Sequence, residues 1–317
     1  MHKPLALTLT MLASALFGSL ALAADRTSDI AARLANPDGG VVIVAHRGCH
    51  NAAPAHGLPA APENSFAALD HCVALGVDVM ETDIRRTRDG YLVIMHDATV
   101  DRMTGGTGAI ADLTLAQVKS LRLRANQGGP SAALTDQEVP TLDELLRHAG
   151  NRIMINLDIK EAIYPEVIAA VQRLGATHRV IVKTVAGAGS PPLASMSPYD
   201  QVPFMPILSA TTPDGGDLPQ VLKNQAGGHR RPWGYELPVM DPDVFGDLAK
   251  AAHAAHGRLW VNTLGKGFVN GYGGDEQALR DPASVWGRLY KDGVTVFQTD
   301  EPEALAAFVA RGMGSDK

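Results

Sequence analysis

Cysteine is nearly absent from this chain, with only Cys49 and Cys72 among 317 residues. Two thiols cannot build a disulfide framework or a four-cysteine zinc site, and their spacing leaves open whether they pair. Basic charge is not in excess: 28 Lys and Arg stand against 34 Asp and Glu, a net charge of −6. No electropositive stripe is available for nucleic acid, so any phosphate chemistry needs a local site. Neither a G-x-G-x-x-G nor a G-x-S-x-G run follows a strand-like segment, which weighs against dinucleotide binding and a hydrolase nucleophile elbow. Repeats, heptads and low-complexity tracts are also missing. What remains is 45% hydrophobic and long enough to bury a sizeable core.

The one long apolar run is at the start, in "MHKPLALTLTMLASALFGSLALAAD". A short basic beginning, an apolar stretch and the triplet Ala21-Leu22-Ala23 describe a secretory signal peptide over residues 1–23, with an uncleaved anchor as the alternative. The expectation is an exported protein, periplasmic or secreted, whose residues 24–317 form a single domain without a stable membrane anchor after processing.

Eight apolar, β-branched segments then alternate with amphipathic ones. They are 41–48, 77–84, 153–160, 180–185, 204–210, 233–240, 258–265 and 294–300, with helical patterns at 63–76, 165–175, 243–257 and 301–312. Eight βα units in this length predict an α/β fold of the TIM (β/α)8 barrel type. Two segments exceed the simple count: an insertion after strand 2 and a long Gly-rich loop, 265–293, after strand 7. Loops that follow barrel strands gather at the C-terminal face, so each is a candidate pocket wall or a plain surface loop.

The chemistry concentrates in "METDIRRTRDGYLVIMHD", residues 80–97. Glu81 and Asp83 are two apart on a strand and share a face, and paired carboxylates in a dry site are tolerable around a cation. Asp158, near the end of the third strand, adds a third hard oxygen donor, a set suited to Ca²⁺ or Mg²⁺. His46 and His96 end apolar strands on either side of that carboxylate strand and suit proton transfer. Arg47 offers a planar fork for phosphate, and Lys160, two after Asp158, a point charge. Together they point to metal-assisted cleavage of a small-molecule phosphodiester.

"AHRG", "PENS", "ETDIRRTRDGYLVIMHD" and "DRMTGGTGAIADLT", with "WVNT" and "QTDEP" further on, resemble the glycerophosphodiester phosphodiesterase family. The resemblance implies a TIM barrel related to that of phosphatidylinositol-specific phospholipase C, and hydrolysis of a glycerophosphodiester to sn-glycerol 3-phosphate and an alcohol. It implies His46 and His96 as the acid/base pair, Glu81, Asp83 and Asp158 as metal ligands, and Arg47 and Lys160 as phosphate contacts. Glu63 of "PENS" matches a further family position, as a carboxylate near the ligand, an orienter of Arg47 or a helix cap. The third acidic ligand is usually Glu, and here Asp158 is shorter. The segment between "HRG" and "PENS" and the 265–293 loop are long. A phospholipase-like or glycerophosphoinositol-cleaving enzyme, or a non-catalytic phosphodiester-binding protein, stay open as alternatives, and so does the oligomeric state.

Overall fold

A computed structural model describes residues 26–209, 217–239 and 242–313; the expected signal peptide lies outside them. Its strands are β1 (Val42–Ala45), β2 (Val79–Arg86), β3 (Leu92–Ile94), β4 (Met154–Ile159), β5 (Val180–Ala186), β6 (Phe204–Leu208), β7 (Gly234–Leu237), β8 (Arg258–Asn262) and β9 (Val294–Thr299). The sheet order is β1-β9-β8-β7-β6-β5-β4-β2-β3, and β1 also pairs with β2, which closes the eight parallel strands into a barrel. All eight expected segments supply a barrel strand. The ninth, β3, runs antiparallel to the end of β2, pairing Ile84 with Ile94 just beyond the point where β1 has stopped. These strands are almost wholly buried, as parallel strands covered on both faces must be.

Strand parity sorts the barrel interior into layers. Val42, Val44, Val79, Met154, Ile181, Met205, Trp260 and Val296 form one apolar cluster, joined by Ile30 and Leu34 of the helix Arg26–Ala35. That helix plugs the N-terminal end of the barrel, and Arg258 anchors it by donating to Arg33 O at 2.9 Å and to Gly40 O. In the next layer six of the strands turn polar inside the barrel: Glu81, Asn156, Lys183, Glu236, Asn262 and Gln298 are all buried. Lys183 meets Glu236 at 2.5 Å with its Nζ 4.2 Å above the Trp260 ring, so its buried charge is compensated. Another step brings the open mouth, where Asp83 and Asp158 stand opposite each other in register.

The insertion after β2 has its own small core, including Val93, Met95, Val100, Met103, Ile110, Val118, Leu123 and Val139. Capping boxes at Thr114/Gln117 and Thr141/Glu144 start the insertion's helix Leu115–Lys119 and the helix Leu142–Ala149, whose buried residues rejoin the main core. The 265–293 segment is no loose loop. It carries the helices Asp275–Arg280 and Arg288–Lys291 and buries Val269, Ala278, Val285, Trp286 and Leu289.

Candidate functional site

After Ala45 the chain leaves β1 through Arg47 and Gly48, both in the left-handed region at φ 53° and 83°. A side chain at position 48 would meet Ala68 Cβ and Met80 Cε at 2.9 Å, so only glycine lets the turn lie this close to the barrel. Left-handed backbone at a non-glycine residue is uncommon, and Arg47 is held there from two sides. Its N–H donates to Glu81 Oε2 at 2.8 Å, and its carbonyl accepts from the N–H of Asn64, itself at φ 58°. Asn64 in turn donates to Asp83 Oδ2 at 2.7 Å. The turn after β1, the "PENS" segment and the carboxylates of β2 are thus one hydrogen-bonded unit. Cys49 and Cys72 are joined in a disulfide with a Cα–Cα distance of 5.1 Å, which ties that turn to the helix Phe66–Ala74.

Glu63, 1% exposed, lies between two guanidinium groups: Arg47 Nη1 reaches its oxygens at 3.0 and 3.2 Å, and Arg102 Nη2 donates at 2.7 Å. The cap of the following helix is Ser65, whose Oγ accepts from Ala68 N. Glu63 is therefore placed to orient the arginine fork, with capping left to its neighbour.

Glu81, Asp83 and Asp158 bring carboxylate oxygens within 4.8 Å of one another. Burial, and then the charges of Asp83 and Asp158, push Glu81 well above the usual carboxylate range. Asp83 is fully buried, which would raise it, yet the charges of Lys160, His96 and Arg47 and the Asn64 hydrogen bond hold it down. Lys160 Nζ lies 2.7 Å from Asp158 Oδ2 and 3.0 Å from Asp83 Oδ1. Asp83 Oδ1 nonetheless receives no well-directed hydrogen bond. A buried carboxylate oxygen without such a donor, beside two further carboxylates, fits a hard divalent cation.

Each expected histidine presents Nδ1 to an aspartate. His46 Nδ1 is 2.8 Å from Asp300 Oδ1, and the same oxygen takes His50 Nε2 at 3.1 Å. His96 Nδ1 is 2.8 Å from Asp97 Oδ1, and Arg102 donates to Asp97 through Nε at 2.7 Å and Nη2 at 3.0 Å. A carboxylate only accepts, so both imidazoles carry the Nδ1 proton and leave Nε2 for proton transfer. Asp300 is buried, yet the hydrogen bonds and charges of His46 and His50 keep it far below the usual range. The Arg102 hydrogen bonds, against partial burial, do the same for Asp97. His50 is raised: burial opposes its charge, but Asp300 and Asn126 outweigh it.

All eight expected site residues therefore lie around one mouth. Reading the sequence missed Asp300, His50, Asp97 and Arg102 as parts of it. Asp97 and Asp300 were in view within "IMHD" and "QTDEP", where an acid directly after a strand-ending His, or after the last strand, was the available signal. Arg102 stood within the "DRMTGG" run without an assigned role, and His50 carried no signal, because only the fold brings it in.

An eight-stranded βα barrel with carboxylates, cations and two aspartate-held histidines at its C-terminal mouth is the setting of a barrel hydrolase. The comparisons narrow the class. The model of a family described as glycerophosphoryl diester phosphodiesterase matches residues 46–197, and that of a domain of unknown function matches 204–309. A glycerophosphodiester phosphodiesterase of Caldanaerobacter subterraneus subsp. tengcongensis is 32% identical over 278 residues, covering 86% of this chain and 98% of that one. Glycerophosphodiester phosphodiesterase 1 of Homo sapiens is 37% identical over 131 residues, 41% of this chain and 37% of its own. The chain belongs to the glycerophosphodiester phosphodiesterase family. The fold agrees: a Parabacteroides distasonis glycerophosphoryl diester phosphodiesterase superposes with a TM-score of 0.67 at 20% identity, covering 92% of this chain and 94% of that one. An Oleispira antarctica phosphodiesterase, solved with the product sn-glycerol-3-phosphate, gives 0.58 at 20% identity over 86% of this chain and 97% of its own.

Proposed function

We propose that this protein hydrolyses glycerophosphodiesters to sn-glycerol 3-phosphate and an alcohol, with His46 and His96 as the acid/base pair. The observation that carries the reading is the matched arrangement of the histidines, each fixed at Nδ1 by a carboxylate beside the same acidic cluster. Binding alone needs cations and no paired proton carriers, so this arrangement favours catalysis over capture. His46 is the base that accepts a proton from the attacking oxygen at Nε2. His96 is the acid that gives one to the departing alkoxide. Asp300 and Asp97 stabilise the imidazolium each forms during the cycle.

Arg47, oriented by Glu63, and Lys160 hold the phosphoryl oxygens. Glu81, Asp83 and Asp158 would hold a divalent cation, Ca²⁺ or Mg²⁺. When bound, that ion supplies charge neutralisation of the phosphoryl oxygens and relieves the repulsion between the carboxylates. Export from the cytoplasm is part of the same reading, supported by the leader-like start and by the Cys49–Cys72 disulfide, which oxidising compartments preserve.

The test is an assay of purified protein with Ca²⁺ or Mg²⁺ against a panel of glycerophosphodiesters, with products identified by phosphorus NMR. Release of glycerol 3-phosphate, lost on EDTA treatment and regained on metal addition, is expected. Binding without turnover would overturn the catalytic reading, and EDTA-indifferent turnover would overturn the metal site.

A further inference from the structure

The rungs between β8 and β9 stop in an unusual way. Thr263 N–H gives to Gln298 O at 2.8 Å, and in a continuing parallel ladder Thr263 O would then accept from Asp300 N–H. Instead Asp275 stands between them. Its own N–H donates to Thr263 O at 2.7 Å, and its carboxylate Oδ2 accepts from Asp300 N–H at 2.8 Å. The other oxygen, Oδ1, accepts from Thr263 Oγ1 at 2.6 Å. Asp275 is 4% exposed, and it belongs to the long excursion after β8.

We propose that Asp275 is a positioning residue for proton transfer at His46: it replaces the missing rung between β8 and β9 and fixes the backbone from which Asp300 reaches His46. Because it stands one residue's width into the ladder, the end of β9 is freed from β8 yet not left loose. Asp300 Oδ1 can then meet His46 Nδ1 at 2.8 Å and His50 Nε2 at 3.1 Å together. The 265–293 excursion thereby supports the catalytic centre from behind. Catalytic geometry tolerates little slack, and a displacement of about 1 Å commonly costs on the order of 10²-fold in rate.

The inference rests on His46 acting in proton transfer, and its test uses the full chain with two readouts. Asp275→Ala should lower kcat about ten- to hundredfold with KM within about twofold. Asp275→Asn keeps an acceptor for the Asp300 N–H and should recover most of that loss. Thr263→Val, close in shape, removes the Oγ1 bond to Asp275 together with the longer contacts of Oγ1 to Gln298 O and Trp286 Nε1, keeps the Asp275–Asp300 bond and should lower kcat less, which keeps the test open if Asp275→Ala does not fold. Arg288→Ala, which loosens the excursion where Arg288 stacks on Tyr272, should leave kcat unchanged. In proton NMR the downfield His46 Nδ1–H resonance, identified by its loss in His46→Ala, should broaden or shift in Asp275→Ala and persist in Asp275→Asn.

Wild-type kcat in Asp275→Ala, or an equal loss in Arg288→Ala, would overturn the proposal, and so would a loss confined to KM. An unchanged resonance in Asp275→Ala and Thr263→Val would overturn it as well. If the wild-type protein cleaves no glycerophosphodiester, the proposed function fails while the resonance still decides the positioning.

Discussion

His46 and His96 each give Nδ1 to an aspartate at 2.8 Å, yet the two aspartates are held by different means. Asp300 sits at the end of barrel strand β9, receives a second histidine and has its backbone N–H taken by Asp275. Asp97 lies in the insertion after β2 and is gripped by the Arg102 guanidinium, which also reaches Glu63. The His46 side chain is 14% exposed and that of His96 35%. One imidazole is thus fixed by backbone and burial, the other by a charged fork that faces solvent. In the proposed mechanism the base is built into the barrel and the acid is brought to it by an insertion. A substrate's alcohol would leave on the more open side.

Removing either imidazole breaks the comparison outright. His46→Ala and His96→Ala should each lower kcat by about 10²- to 10⁴-fold, roughly 3 to 5 kcal/mol in barrier, in steady-state assays of folded protein.

The next effect belongs to the His46 side alone. Burial pushes Asp275 from 3.8 up to about 7, against the pull of Thr263 and of the Asp300 N–H. The unfolded chain loses that proton near the ordinary value, so between about pH 4 and pH 7 it holds fewer protons than the folded chain. Stability therefore falls as pH rises through that window, by roughly 4 kcal/mol, and the loss is complete above about pH 7. Asp275→Asn has no such proton and should gain in Tm on the wild type from pH 4 to pH 8. A constant Tm difference would place the proton elsewhere.

The disulfide also braces the His46 side, because Cys49 is three residues beyond that histidine and the loop to Cys72 spans a sequence separation of 23. Reduction, or replacement of both cysteines by serine, should cost about 3 kcal/mol in urea denaturation. The smallest contrast is the most direct. Asp300→Asn should lower kcat about 10²-fold and Asp97→Asn about tenfold, because Arg102 and Glu63 still brace the second site. Equal losses would show that the two supports are equivalent.

Much of this was legible in residue order. The eight strands follow from β-branched runs at barrel spacing; Glu81 and Asp83 lie two apart within β2, Asp158 near the end of β4, and His46 and His96 just after β1 and β3, an order that strand alternation and motif spacing make readable. Glu63 was legible as a position and not as a role. Whether it capped a helix or braced Arg47 depended on Ser65 taking the cap and Arg102 arriving from the insertion. For the Gly-rich 265–293 segment the sequence leaves pocket wall and plain surface loop equally open, and its buried Val269, Val285 and Trp286 pack it down. Composition hides packing when apolar residues are spaced without a clean period.

Sequence alone determined what strand alternation and motif spacing can carry: a barrel, an acidic pair on one face, and two histidines with two cations near it. Tertiary structure decided which carboxylate holds which histidine. Asp300 is 254 residues from His46 and Asp275 a further link away, and contacts of that separation depend on how the barrel closes β9 against β1, which no local pattern encodes.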